Sequence, residues 1–220
     1  MNVLGSDGFA VQPAIRNGRR RVLLPCVLGA WMATTAVAFG VMADGASRAG
    51  ALARAPETWP DTSRLPRDRA RATLVMVAHA KCPCTRASLR ELERIMADAR
   101  GSLDTFVVFV APHEGGSAHD LLDTRDAARA IPDVRVIEDE SEAHVFGAAT
   151  SGQVLLYDEA GKLVFRGGIT PARGHEGDSA GGEVVRRFLS ARSGRRAAER
   201  SVSPHASDVF GCALFDRRTP

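Results

Sequence analysis

Lysine is almost missing from this chain: Lys81 and Lys162 are the only two. Arginine supplies the rest of the positive charge, and the net charge is only +3. The basic residues are scattered, with small clusters at 19–21 and 192–200. Aromatic residues make up 5% of the chain. Nucleic-acid binding needs a basic stripe and aromatic faces for stacking, so it is not expected here. Cysteine is scarce as well, at 4 residues in 220. A disulfide-stapled secreted domain would be richer in it. No internal repeat is visible. Acid is missing from one stretch: between Arg71 and Arg90 there is no Asp or Glu, while His79, Lys81 and Arg86 are present.

The first feature that is present is a long apolar run. Residues 22–42, Val22 to Met42, carry no charge. A helix of about 20 apolar residues crosses a bilayer. Arg16, Arg19, Arg20 and Arg21 precede the run, and no comparable cluster follows it. The positive-inside rule then leaves residues 1–21 in the cytoplasm and 43–220 outside. A cleaved signal peptide competes with this reading, with Val41-Met42-Ala43 as the cleavage site. The run is long for a signal peptide, so an uncleaved anchor is expected. Cys26 lies inside it and is given no role. Either reading delivers Cys82, Cys84 and Cys212 to an oxidising compartment. An odd number of thiols there suggests one pair plus a spare or switchable third.

Residues 43–70 are rich in Ala, Arg, Pro and Asp, with little periodicity, and read as a linker. Thr73 to Ala78 is a short continuous apolar run and predicts a buried strand. A helix follows over about 84–100, with Leu89, Leu92, Met96 and Ala99 on one face and Gly101 as its stop. Ser88-x-x-Glu91 resembles a capping box but falls inside that helix. The pattern then predicts a strand over 105–110, a loop at 112–116, a helix over about 118–130 and a strand over 134–137. A short helix over about 140–147 follows. Next comes a hairpin: Val154 to Tyr157, the turn Asp158-Glu159-Ala160-Gly161, then Leu163 to Phe165. A last helix covers about 180–191. The order demands parallel strands first and an antiparallel pair at one side. The domain is expected over 71–192 and a C-terminal tail over 193–220, polar and mobile over 193–209. That tail ends oddly apolar, at Val209-Phe210-Gly211-Cys212-Ala213-Leu214-Phe215. Such a patch suggests docking, with Cys212 either a third redox thiol near Cys82 or a spare one.

Cys82-Pro83-Cys84 stands at the turn from the first strand to the first helix of this domain. Free N–H groups and the positive dipole end at a helix start favour thiolate over thiol. The cations around it act in the same direction. Pro83, with no N–H and a fixed φ, suits the first helical turn. The competing reading is a pair of ordinary small apolar residues. A structural disulfide across so small a ring would constrain almost no chain.

The cysteines at the first strand-to-helix turn, the element order, and the run through Glu138-Asp139-Glu140, Val145-Phe146-Gly147-Ala148 and Leu155 to Val164 resemble the thioredoxin-like superfamily. The specific likeness is to membrane-anchored periplasmic proteins of the TlpA/ResA type, and to those labelled RedB. It covers about 70–192. It implies an α/β three-layer fold, with a central mixed sheet of about five strands, helices on both faces and one transmembrane helix in front. Two departures stand out. The family has Cys-x-x-Cys, and here one intervening residue is missing, so Cys82 and Cys84 take the places of its two cysteines. The family also carries a cis-proline facing the disulfide, and counting back from Asp158 puts that position at Gly152.

The hairpin geometry brings the loop 168–178 to the cysteines, with His175 as a candidate base or ligand. His79 and Lys81 are expected to tune the charge. The resemblance implies a thiol–disulfide oxidoreductase in which Cys82 attacks and Cys84 or Cys212 resolves. Its partners are periplasmic protein thiols and disulfides, with a membrane electron donor. No cofactor is expected on this reading. The alternative is a Cu(I) carrier using Cys82, Cys84 and His175, since soft thiolates select Cu(I). A peroxidase of the peroxiredoxin kind would have Thr or Ser three residues before the reactive cysteine; His79 and Lys81 stand there.

Overall fold

The computed structural model describes residues 17–52, 54–99, 101–110, 118–193 and 205–215. It divides into two units, Met1–Gly45 and Ala46–Pro220. The first is the helix α1, Asn17–Ser47, which runs just past the boundary and carries Pro25 within it. Its segment Leu23–Gly45 is 23 residues long and apolar enough to cross a membrane. At 1.5 Å per residue it spans about 35 Å. The expected run over 22–42 lies almost wholly within it.

The second unit is built on strands β1 (Ala72–His79) and β2 (Leu103–Val110), which are buried apart from the half-buried His79. Side chains alternate between the two faces of a strand. Leu74, Met76, Ala78, Val107 and Phe109 therefore enter one apolar cluster. Val75, Val77, Phe106, Val108 and Val110 enter another on the opposite face. A sheet buried on both faces needs helices on both, and the two clusters show which. The first receives Leu89, Leu92, Ile95 and Met96 from α2 (Pro83–Ala99) and Val185 and Leu189 from α5 (Ala180–Ser193). It also takes Ala128 from α3 (Ala118–Arg129). The second receives Ala143 of α4 (Glu140–Val145) and the adjoining Phe146.

Strand β3 (Val134–Glu138) extends the parallel set, and β4 (Gln153–Tyr157) and β5 (Leu163–Gly167) form the antiparallel hairpin. The order across the sheet is β3-β2-β1-β4-β5-β6. This is the thioredoxin-like arrangement that the resemblance implied, with one strand added. The sixth strand β6 is His205–Ala206, parallel to β5. The resemblance implies about five strands, and a two-residue strand in a polar tail has no period to mark it. The edge of β5 offers unpaired backbone groups, and the tail occupies them.

The boundaries differ from expectation on both sides of the sheet. Ala55 and Leu65, placed in the linker, are buried against the sheet. Val209 and Leu214, placed in the tail, are also buried. Single apolar side chains in a proline-punctuated stretch carry no periodicity, so nothing local marked Ala55 and Leu65 for burial, whereas Val209 and Leu214 belong to the apolar run that suggested docking. The loop expected at 112–116 falls outside the described residues.

Candidate active site

The site grows from the end of β1. The Cys82 N–H donates to His79 O at 3.1 Å, and Thr85 N–H donates to Cys82 O at 2.9 Å. Cys82 thus stands just before α2, and Pro83 is its first residue. Proline costs nothing there because the first N–H of a helix has no partner within it. The Thr85 hydroxyl donates to His79 O at 2.8 Å. It accepts in turn from Ser151, whose Oγ lies 3.1 Å away. Ser151 Oγ accepts the His79 N–H at 2.9 Å. This pair of buried hydroxyls clamps the cysteine turn to the turn that opens β4.

Gly152, where the resemblance implied the position of a cis-proline, is part of that second turn. Its φ is +87°, and its N–H donates to Val77 O at 2.8 Å. Proline fixes φ near −65° and has no N–H, so it could satisfy neither feature. A side chain would also be cramped there, because a Cβ would lie 2.9 Å from Ser88 Oγ.

The tail completes the site. Ser151 N–H donates to Cys212 O at 2.8 Å, and Leu214 N–H donates to Ala149 O at 3.0 Å. The Cys212 N–H donates to Cys82 Sγ at 3.3 Å. Three thiols therefore meet, and all are free. Cys82 is 1% exposed, which means that no partner reaches it unless a covering group moves.

Hydrogen bonds to the Cys82 sulfur, first from the Cys212 thiol, lower its pKa to about 5. Burial opposes them, and the N–H groups of Cys212 and Cys84 and the Cys84 thiol assist. The sequence pointed to the helix start together with Lys81, His79 and nearby arginines. The helix start does contribute, through the Cys84 N–H. Burial, the Cys82 charge and the Cys82 bond push the Cys84 thiol up. The Cys212 thiol is also pushed up, first by its bond to Cys82.

The loop after β5 borders the cysteines as expected, but not through His175. The Gly174 N–H and the Arg173 charge favour the Cys84 thiolate. Arg173 does the same for Cys212. The exposed His175 ring bonds Arg173 O at 2.7 Å through Nδ1. Among the described residues no three His, Cys, Asp or Glu side chains are grouped to hold a metal ion. The copper set therefore has no support here. His79 is built into the cysteine turn by its main chain, and Lys81 is half-buried in the same turn.

Three residues were missed as site residues: Ser151, Thr85 and Arg173. Each lies within a stretch the sequence singled out, but their convergence is tertiary. A fourth, Glu91, is the acid of the supposed capping box. It is buried and accepts Gly177 N–H at 2.5 Å and Arg94 at 2.6 Å. It ties the loop of Arg173 to α2 rather than capping a helix.

No protein-family model and no curated protein matches this chain. Solved structures do. An uncharacterized conserved protein from Geobacillus kaustophilus is 20% identical, with a TM-score of 0.54 over 79% of this chain and 94% of that one. A hypothetical protein from Sinorhizobium meliloti is 21% identical, with a TM-score of 0.50 over 77% and 96%. The exposed lipoprotein thioredoxin of Streptococcus pneumoniae is 18% identical, with a TM-score of 0.41 over 56% and 85%. The first two likenesses establish that the chain shares its fold with those proteins.

Proposed function

We propose that this protein is a thiol–disulfide oxidoreductase, held in the bacterial inner membrane by α1 with its globular unit in the periplasm. The observation that carries this reading is the Cys82 sulfur. It sits at a helix start with two more thiols beside it, and its pKa is lowered to about 5. A thiolate is the nucleophile of disulfide exchange.

Cys82 attacks one sulfur of a substrate disulfide. That bond breaks, the other substrate sulfur leaves as a thiolate, and a mixed disulfide forms on Cys82. A neighbouring thiol of the cluster, Cys84 or Cys212, then loses its proton and attacks the Cys82 sulfur. The substrate's second sulfur leaves, and the protein holds an internal disulfide. The substrate has gained two electrons, and the protein dithiol has lost two. Because Cys82 is buried, a covering group moves to admit the substrate. An external dithiol, supplied by a membrane electron donor, restores the reduced form. The TlpA/ResA resemblance favours this reductive direction. The cluster Arg16, Arg19, Arg20 and Arg21 ahead of the apolar segment, with no comparable cluster after it, favours a cytoplasmic N-terminus.

Cys82→Ser is expected to abolish reduction of a protein disulfide while the far-ultraviolet circular dichroism stays unchanged. Activity retained in a folded Cys82→Ser protein would remove the nucleophile and this function with it.

A further inference from the structure

We propose that Cys212, and not Cys84, resolves the mixed disulfide on Cys82, so that the working disulfide joins Cys82 to Cys212. This rests on the oxidoreductase reading above and names the second half of its dithiol.

The first support is position. Ser151 indexes both cysteines. Its hydroxyl holds the turn of Cys82 through His79 and Thr85, and its N–H holds Cys212 O at 2.8 Å. An antiparallel bridge between Thr150 and Ala213 continues the same pairing. The result is a Cys212 N–H 3.3 Å from Cys82 Sγ, although 130 residues separate the two in sequence.

The second support is that the tail is built to lie there. A Cβ on Gly211 would fall 1.9 Å from Ser151 O, so only glycine permits so close an approach just before Cys212. Val209 and Leu214 are buried on either side. Gly50 N–H donates to Val209 O at 2.7 Å, and Gly168 N–H donates to Asp208 O at 3.2 Å.

The third support is what happens once substrate is attached. A sulfur in a mixed disulfide carries no negative charge. The largest influence suppressing ionisation of Cys212 is its bond to the Cys82 sulfur, and attachment removes it. The largest influence on Cys84 is burial, which attachment does not remove. Arg173 remains to favour a thiolate on either cysteine. Attachment therefore lifts the leading restraint on Cys212 at the moment a nucleophile is needed, with its main chain already held beside Cys82. Cys212 gives up its proton to solvent and attacks the Cys82 sulfur. The Cys82–substrate bond breaks, the substrate sulfur leaves as a thiolate, and the Cys82–Cys212 bond forms. The electron pair leaves with the substrate sulfur. A Cys82–Cys84 bond would close a ring of almost no chain, whereas Cys82–Cys212 closes a long loop and restrains far more of it.

The test uses the reduced full-length protein in detergent micelles, with glutathione disulfide as the probe. The reaction is quenched in acid, alkylated and mapped by peptide mass spectrometry. Wild type and Cys84→Ser are expected to accumulate the Cys82–Cys212 disulfide. Cys212→Ser is expected to accumulate glutathione on Cys82 and to release the second glutathione about tenfold more slowly or worse, having lost an intramolecular partner. Gly211→Ala keeps all three thiols and is expected to behave as Cys212→Ser does. A Cys82–Cys84 disulfide in wild type with Cys212 alkylated overturns the inference and leaves the oxidoreductase standing. So does release at the wild-type rate from Cys212→Ser. A wild-type Cys82 that takes up no glutathione overturns both.

Discussion

The segment before β1 and the segment after α5 are both laid against the same sheet, and the two differ in what holds them. Residues 57–59 share main-chain bonds with the β4–β5 turn, from Trp59 N–H to Gly161 O and from Leu163 N–H to Glu57 O. Beyond those bonds and one from Gly50 N–H to Val209 O, side chains do the anchoring. Trp59 meets Phe146 edge-on at 5.1 Å between centroids, and Tyr157 at 5.4 Å. Buried Glu142 accepts Ser63 Oγ and Arg64 N–H, each at 2.7 Å. Residues 205–214 are held chiefly by backbone bonds and by a glycine packed on a carbonyl, with Phe215 stacked on His144 at 4.0 Å beyond them. Side-chain anchoring secures a segment as a whole. Main-chain pairing fixes its register residue by residue, which is what places one sulfur beside another. The first segment is packing, and the second carries chemistry.

That contrast is open to experiment. The largest effect is expected from Trp59→Ala, which empties the space between two rings and should cost about 3 kcal/mol of stability. Denaturant unfolding checks it, and the pH profile of Cys82 should not move. Glu142→Ala leaves the Ser63 hydroxyl and the Arg64 N–H without their acceptor and should cost about 2 kcal/mol. A cost near zero for either variant would mean that the first segment is not held by these side chains.

The next effect belongs to the other segment. In the wild type, Cys82 is a thiolate above pH 5 and a thiol below it. Its alkylation rate should therefore fall as the pH drops through about 5. Cys212→Ala removes the leading stabiliser of that thiolate, so the midpoint should rise by about one unit or more toward the ordinary range near 8.5. Iodoacetamide rates between pH 4 and 9 decide it; an unmoved midpoint would separate Cys212 from Cys82. The smallest effect is expected from Arg173→Gln. One partly screened charge is worth about 1 kcal/mol or less. Attack by Cys212 on a mixed disulfide should slow a few-fold, read by stopped-flow release of glutathione.

The legible part of the fold is the part with period. Continuous apolar runs marked β1 and β2, and three- and four-residue steps marked α2 and α5. The Cys82-Pro83-Cys84 turn was legible because a strand must end and a helix begin there. Trp59 and Leu65 were not, since single apolar residues in a proline-punctuated stretch look like any linker. Glu91 was visible as a residue but was given no role, because two of its partners, at 177 and 186, lie far along the chain. The thiolate itself was foreseen for a partly wrong reason. The acid-free stretch drew attention to cations, whereas hydrogen bonds to sulfur do most of the work.

The sequence by itself determined the alternation of strands and helices, the long apolar run of α1, and the position of two thiols at a helix start. Those follow from local hydrophobic period and from the chemistry of single turns. Only the tertiary structure decided that β5 pairs with a sixth strand, that Ser151 clamps the cysteine turn, and that Cys212 meets Cys82. Those contacts join positions as far as 130 residues apart. Such pairings depend on where a sheet edge is left open and how closely two backbones approach, and neither is written in any one segment.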